Sequence, residues 1–346
     1  MLPLFFFLAL TASPCLAQTA GHEVLTLSQT LALAANSTFN PLLDCGLDNF
    51  TPYNASFLGE LQTLRTGDVL QAFYRFRRDD CSENSTSFDP SQAPLLLLPA
   101  MESTINDWGV SFLAAVSCGR EVVALEYRGC GQSLDYSPEP LTYYTMADGV
   151  VQLVEALNLT RPHVFGWSTG GDIAFILGAL HGGRFGRLAA MAGMAGSNHT
   201  VLPDEPDILS PAATAALDPV QQLALTIPPQ DPDFADVTCQ FVKDIMSMPG
   251  GIGVTVNDSV AEAQYIADVD FTTVDPTIWD ALPTIKNPVL VIQGAQDALV
   301  PAINAQLISS RIPNSWLARF PSWGHRWKDN AALVALLSAF FDSPLS

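Results

Sequence analysis

Short apolar runs alternate with segments of helical periodicity through the middle of the chain. The runs are "APLLLLPA", "EVVALEY", "HVFGW" and "RLAAMAG", and their nearly continuous apolar character is typical of strands buried on both faces. Apolar residues recur at helical spacing in the segments Trp108–Val116, Met146–Leu157 and Asp172–Leu180. Strands that alternate with helices predict an α/β fold with a mostly parallel, doubly wound sheet covered on both faces.

This alternation stops in residues 195–283 and then resumes. That stretch is rich in Pro and Asp and shows only short helical pieces, such as Val237–Met248 and Ser259–Ile266, so we expect an insertion and not another strand and helix unit. The sheet is expected to resume with "PVLVIQG", followed by a helix over Ala302–Arg311, the strand "SWLARF" and a helix over Asn330–Phe341.

Two segments flank this pattern on the amino-terminal side. A hairpin is predicted within "LQTLRTGDVLQAFYRF", with its turn at Thr66–Asp68. Residues 18–56 contain scattered Pro, Asn and Asp and are expected to form a loop-like extension. The folded core is therefore assigned to residues 57–194 and 284–346, on either side of the insertion.

The first residues of the chain have the character of an export signal. Residues 1–17 carry no charged side chain, and their apolar stretch Leu2–Leu10 is followed by small residues, which predicts a signal peptide cleaved after about Ala17 and an extracellular protein. The stretch is too short for a stable membrane anchor. Acceptor triplets for N-linked glycans support export. They begin at Asn36, Asn49, Asn54, Asn84, Asn158, Asn198 and Asn257.

Composition narrows the class of protein. Hydrophobic residues make up 48% of the chain and charged residues 14%, which predicts a compact globular protein. A formal net charge of −20 without a basic cluster excludes nucleic acid and anionic membrane surfaces as partners.

After removal of the signal peptide the cysteines are odd in number, and Cys45 and Cys81 are expected to pair because both precede the main fold. No Cys or His pair has zinc-ligand spacing, so no metal is expected.

A lone serine stands between two glycines where a predicted strand passes directly into a predicted helix, in "VFGWSTGGDI". Such a sharp bend brings backbone segments close together, so a β-carbon at Gly166 or Gly170 would collide with its neighbours. The pattern G-x-S-x-G is the elbow in which Ser168 accepts strained backbone angles and projects its hydroxyl from the top of the sheet. Ser168 is therefore the candidate nucleophile.

A serine nucleophile needs a base and an acid that orients the base. Four of the five histidines occupy ordinary positions: His22 near the mature terminus, His163 at a strand start, His181 at a helix end and His199 within an acceptor triplet. The remaining one, His325, follows the last strand and is the candidate base.

Asp297, in the loop after "VLVIQG", is the candidate acid, although a turn aspartate in such a place is common. The order Ser168, Asp297, His325 matches nucleophile, acid and base in one class of hydrolase, and each follows a predicted parallel strand.

With these residues the chain resembles the α/β-hydrolase superfamily, of the AB hydrolase-1 type. "ALEYRGCGQS" is similar to the D-x-R-G-x-G-x-S segment of that family, with Glu126 in place of Asp. The resemblance implies an oxyanion hole formed by the backbone N–H groups of Thr169 and Met101. Before Met101 the family has His-Gly, whereas this chain has Pro99 and Ala100. The family also carries its lid at the position of the insertion, which implies a covered site.

Together with the predicted signal peptide, the resemblance implies a secreted serine hydrolase that cleaves a small to medium, largely apolar ester, lactone, thioester or amide through an acyl-enzyme, without a cofactor. The expected partner is a small-molecule acyl substrate, and a carboxylesterase is favoured over a peptidase. One alternative is acyl transfer, cyclisation or carbon–carbon bond cleavage by the same triad. Another is a secreted binding protein of the same fold without activity. The sequence leaves the oligomeric state open.

Overall fold

A computed structural model describes residues 24–81 and 92–343, and the strands in these ranges form one sheet. The strands are β1 (Gln62–Thr66), β2 (Val69–Phe76), β3 (Leu95–Leu98), β4 (Val122–Leu125), β5 (Leu134–Asp135), β6 (His163–Trp167), β7 (Leu188–Met191), β8 (Val289–Gly294) and β9 (Ser315–Phe320). Their order is β1-β2-β4-β3-β6-β7-β8-β9, and β5 pairs with β2. Pairing is parallel from β4 through β9 and antiparallel for β1, β2 and β5, which confirms the mostly parallel α/β sheet.

Helices connect the parallel strands and occupy the segment between β7 and β8. They are α1 (Leu27–Ala35), α2 (Pro41–Asp44), α3 (Val110–Val116), α4 (Tyr143–Ala156), α5 (Thr169–His181), α6 (Pro211–Ala215), α7 (Pro219–Ala224), α8 (Phe234–Met246), α9 (Asp258–Thr273), α10 (Thr277–Ala281), α11 (Ile303–Arg311) and α12 (Asn330–Phe341). Helices α6 to α10 lie in residues 195–283, which we call the insertion.

The core lies on both faces of the sheet because the central strands are apolar at nearly every position. Leu96 and Leu98 of β3 pack with residues of α4 and α5 on one face. Leu95 and Leu97 pack with α3 and α12 on the other face. Since side chains alternate along a strand, a run without polar positions is the pattern that burial on both faces requires.

The amino-terminal extension differs from the expected loop, because it contains helices α1 and α2. Helix α1 begins at a capping box, in which the Thr26 side chain accepts from the Gln29 N–H and the Gln29 side chain accepts from the Thr26 N–H. Its buried Leu27 packs against Leu225 of the insertion and Leu299. The T-x-x-Q pattern before an apolar run is present in the sequence and could have identified this helix.

Six of the seven predicted helices differ from the pattern at a boundary, α3 and α9 among them. Helix α3 begins at Val110 and not at Trp108, because Gly109 adopts φ +74°, outside the helical region. Helix α9 continues to Thr273, well beyond the predicted end at Ile266.

The expected Cys45–Cys81 pairing is wrong. Cys45 is bonded to Cys239, which links the extension to α8 of the insertion, and Cys81 is bonded to Cys118. Both pairings follow from tertiary packing. Helix α2 lies against α8, which brings Cys45 to Cys239. The end of β2 lies beside the end of α3, where the Arg78 N–H donates to Ser117 O, and this brings Cys81 to Cys118. Cys130 is free and buried.

Some sequence predictions lie outside the described residues, namely the signal peptide at residues 1–17, His22 and Asn84. The other acceptor asparagines are exposed, as N-linked glycans require. They are Asn36, Asn49, Asn54, Asn158, Asn198 and Asn257. Within residues 24–81 and 92–343, no helix has both the length and the apolar character needed to cross a bilayer.

We expect a non-reducing peptide map to yield the pairs Cys45–Cys239 and Cys81–Cys118, with Cys130 protected from alkylation until the protein unfolds. Replacing Cys45 and Cys239 with serine should lower the free energy of unfolding by about 3–5 kcal/mol, because this disulfide closes a long loop in the unfolded chain. The matched Cys81→Ser/Cys118→Ser variant removes a disulfide that closes a shorter loop. Its free energy of unfolding should fall by less, as measured by denaturant titration. Recovery of a Cys45–Cys81 peptide would contradict this assignment.

Candidate active site

Ser168 stands in a strained turn between β6 and α5. Its backbone has φ +55° and ψ −122°, a conformation that residues with a β-carbon rarely adopt. A β-carbon at Gly166 would overlap the Gly170 carbonyl, and one at Gly170 would overlap the Leu98 carbonyl at the end of β3. Both glycines are therefore needed for α5 to begin this close to the sheet, as the sequence pattern predicts.

The His325 ring faces the Asp297 carboxylate. The His325 Nδ1 atom lies 3.1 Å from Asp297 Oδ2 and 3.2 Å from Oδ1, and both side chains are buried. Other donors fix the carboxylate: the N–H groups of Leu299 and Val300 donate to Oδ1, and Gln293 Nε2 donates to Oδ2. With its proton on Nδ1 directed at the carboxylate, the His325 ring presents Nε2 as an acceptor.

Hydrogen bonds to β6 and to the insertion hold the His325 loop in place. Trp167 Nε1 donates to the His325 carbonyl at 2.8 Å, so the strand that precedes Ser168 also positions the base. The Arg326 N–H donates to Thr226 O of the insertion at 3.0 Å. A β-carbon at Gly324 would come within 2.7 Å of Thr226 O, which explains the glycine before this histidine.

A cavity of about 150 Å³ contains both Ser168 and His325. The core contributes part of its lining and the insertion contributes Leu209, Thr214, Leu225, Thr226 and Asp268. Its apolar walls are Ala100, Met101, Trp167, Met194, Leu209, Leu225, Leu299 and Val300. A partly accessible Ser168 and a buried His325 thus face a small, mostly apolar space that the insertion covers in part.

The backbone segments expected to form the oxyanion hole lie at this cavity, since Met101 and Thr169 both line it. Thr169 is the first residue of α5, so its N–H has no acceptor within the helix. Met101 lies in a turn closed by the Ser103 N–H bond to Ala100 O at 3.4 Å. In this turn Glu102 adopts φ +54°, so the chain forms a tight loop here although Ala100 replaces the glycine of the family.

Three carboxyl groups also line the cavity, at Glu102, Asp172 and Asp268. Burial raises the pKa of Glu102 and raises that of Asp172 well above its usual range. Burial raises the pKa of Asp268 to about 6, against the opposing effect of a hydrogen bond from Tyr143. Among the described residues that line the cavity there is no Lys or Arg. The space therefore favours neutral groups over anions.

The other histidines in the described residues have structural contacts elsewhere. His163 Nδ1 accepts the Arg187 N–H at 2.9 Å, and burial lowers the pKa of His163 to about 3. His199 stacks on Trp279. His181 lies 3.6 Å from an Asp148 carboxylate oxygen.

Two residues of the "ALEYRGCGQS" segment have no access to the cavity. Glu126 is buried and accepts the Gln132 N–H at 2.6 Å, consistent with a structural role. Cys130 is fully buried, and burial raises the pKa of its thiol to about 12, so it is poorly suited to act as a nucleophile.

The sequence pattern did not indicate the polar residues that α9 and its neighbours contribute. Asp268 lies beyond the predicted end of this helix, and Gln264 lies one turn before it. Both side chains are buried. Polar and apolar residues are mixed along this helix, so its sequence did not indicate which side chains would be buried. Asp172 was placed on a predicted helix without any expectation of a cavity, and Tyr143 lies before the predicted start of α4 at Met146.

Comparison with known proteins agrees with the geometry. A family model described as alpha/beta hydrolase fold matches residues 93–237. The protein named "Putative carbamate hydrolase RutD" from Caulobacter sp. (strain K31) is 28% identical, over 67% of this chain and 85% of that protein. A non-heme chloroperoxidase from Burkholderia pyrrocinia is also 28% identical, over 64% of this chain and 80% of that protein.

Solved structures share the same architecture. An alpha/beta hydrolase fold protein from Chitinophaga pinensis superimposes with a TM-score of 0.70, at 17% identity, over 84% of this chain and 100% of that chain. At this level of identity the likeness concerns the fold alone. The sheet order, the strained serine turn, the family match and the structural likeness lead to one conclusion: the chain has the α/β-hydrolase fold.

Proposed function

We propose that this protein is a secreted serine hydrolase that cleaves small, neutral, largely apolar esters through Ser168, His325 and Asp297. The observation that carries the proposal is the buried His325–Asp297 pair at a cavity that also contains a serine in a strained turn. Positioned in this way, a histidine can take the proton of the serine while a buried carboxylate stabilises the resulting imidazolium.

The reaction follows from this arrangement in two halves. Ser168 Oγ attacks the substrate carbonyl carbon while His325 Nε2 takes the hydroxyl proton, and the negative charge on the carbonyl oxygen is stabilised by the N–H groups of Thr169 and Met101. The imidazolium then gives its proton to the leaving alkoxide, and the acyl-enzyme forms. Water, deprotonated by His325, attacks the acyl carbon, and Ser168 recovers its proton as the acid is released.

Size and charge of the cavity support small neutral substrates. A cavity of about 150 Å³ in another protein binds benzene, so the space beside Ser168 suits a short acyl chain or a single ring. An anionic substrate would lose its hydration without meeting a cationic side chain, beside the carboxyl groups of Glu102, Asp172 and Asp268.

Export is supported by two features of the described residues. Two disulfides occur in them, which is typical of oxidising compartments. The acceptor asparagines of residues 24–81 and 92–343 are all exposed.

Ser168→Ala and His325→Ala should abolish labelling by a fluorophosphonate probe and lower ester hydrolysis at least about a thousandfold, since neither residue acts without the other. Asp297→Asn should lower kcat by roughly a thousand- to ten-thousandfold, because the amide no longer stabilises the imidazolium or its tautomer. The exposed Ser310→Ala variant, which loses only a bond to Leu307 O, serves as the matched control. Normal labelling of folded Ser168→Ala would refute the proposed nucleophile.

Substrate choice is tested with p-nitrophenyl esters. We expect kcat/KM for the acetate and butyrate to exceed that for the laurate at least about tenfold, because a long chain overfills the cavity. The neutral valerate and the hemiglutarate have equal acyl length, and the hemiglutarate carboxylate should lower kcat/KM at least about tenfold. Equal or faster hydrolysis of the hemiglutarate would show that the carboxyl groups do not set specificity.

Export is tested by expressing the full chain in a eukaryotic secretory host. We expect the protein in the medium with Gln18 as its first residue and with a mobility that increases after treatment with a peptide N-glycosidase. Retention inside the cell with an intact amino terminus and no glycan would contradict the proposal of secretion.

A further inference from the structure

Helix α9 of the insertion directs two buried polar side chains at the cavity region. Gln264 is 0% exposed and Asp268 is 9% exposed. They lie four residues apart, so they share one face of the helix. Apolar side chains at these positions would avoid the cost of burying polar groups, and each of the two polar side chains contacts a different segment of the core.

Gln264 contacts the segment that contains Met101. Its Oε1 atom accepts the Glu102 N–H at 2.8 Å, and its Nε2 atom donates to Cys130 Sγ at 3.3 Å. The Met101 carbonyl, in the same peptide as the Glu102 N–H, accepts the Ser103 hydroxyl at 3.3 Å. Both polar ends of this peptide are therefore fixed, next to the Met101 N–H.

This support matters because the turn is unfavourable for its sequence. Glu102 is the third residue of the turn and adopts φ +54°, where glycine or asparagine is preferred. Without the hydrogen bond from the Glu102 N–H to Gln264 Oε1, the peptide between Met101 and Glu102 could rotate to a more common conformation. The Met101 N–H would then change direction.

Asp268 contacts the segment that contains Thr169. Its Oδ1 atom accepts the Tyr143 hydroxyl at 2.7 Å, and the Tyr143 oxygen lies 3.1 Å from Thr169 Oγ1. Tyrosine has one hydroxyl proton, so when Asp268 is ionised that proton is directed at the carboxylate and the Thr169 hydroxyl donates to Tyr143. This chain of bonds orders the first residue of α5.

We propose that Gln264 and Asp268 are positioning residues that hold the Met101 and Thr169 N–H groups in the geometry required to stabilise an oxyanion. One turn of α9 thus connects both halves of the oxyanion hole, and the insertion is part of the catalytic apparatus and not only its cover. The inference rests on the proposed serine hydrolase activity.

The test uses the full secreted protein and the variants Gln264→Met and Asp268→Leu, which keep a similar side-chain length and remove the hydrogen bonds. With p-nitrophenyl acetate we expect kcat to fall roughly tenfold to a hundredfold, while KM changes by less than about threefold, because a misplaced donor affects the transition state more than the bound ester. Asp268→Asn keeps an acceptor for Tyr143 and should recover most of the activity. Asp270→Asn, on the exposed face of α9, is the matched control.

A second measurement distinguishes a misplaced oxyanion donor from a general loss of active-site structure. A trifluoromethyl ketone forms a tetrahedral oxyanion with the serine, whereas the corresponding methyl ketone binds largely without reacting. In the Gln264→Met and Asp268→Leu variants, Ki for the trifluoromethyl ketone should rise in proportion to the loss of kcat/KM, and Ki for the methyl ketone should stay within about threefold. Tyr143→Phe removes a single oxygen atom and should show the same difference between the two Ki values. It keeps the test available if Gln264→Met or Asp268→Leu prevents folding.

Three outcomes would overturn the inference while the hydrolase proposal stands. They are an unchanged kcat in the folded variants, an Asp268→Asn variant as impaired as Asp268→Leu, and a change confined to a rise in KM. A wild-type protein that neither reacts with a fluorophosphonate nor hydrolyses any ester would overturn both.

Discussion

The close approach of α5 to the sheet is the constraint on which the rest of the site depends. The helix begins directly after Ser168, and its first turn lies against the carbonyl of Leu98 at the end of β3. That contact leaves no space for a β-carbon at Gly166 or Gly170 and forces Ser168 to a positive φ. As a result, the Ser168 hydroxyl lies at one edge of the sheet together with the end of β3 and the amino terminus of α5.

The groups at this edge come from segments far apart in the chain, and each has its own support. Four donors from β8, its following loop and the His325 ring surround the Asp297 carboxylate, so the buried charge is well compensated. The His325 loop is tied to β6 through Trp167 and to the insertion through Thr226. Rigid support of this kind is what preorganised catalytic geometry requires.

The insertion is joined to the core by more than apolar packing. A disulfide links α8 to the amino-terminal extension, the Arg326 N–H binds Thr226 O, and Gln264 and Asp268 of α9 bind groups beside the cavity. Buried polar groups of this kind cost desolvation free energy unless each finds a partner. Their placement beside both proposed oxyanion segments favours a role in orienting those segments over a purely structural one.

The sequence by itself determined the sheet, the helices that cover it and the positions of Ser168, Asp297 and His325, because apolar periodicity and glycine spacing are local signals. Only the tertiary structure decided that Cys45 pairs with Cys239, since that bond depends on α2 packing against α8. It also placed Asp268 at the cavity and Gln264 against the Glu102 N–H, because a polar residue on a helix carries no local sign of what its side chain will meet. Contacts between distant segments depend on packing that no short stretch of the chain encodes.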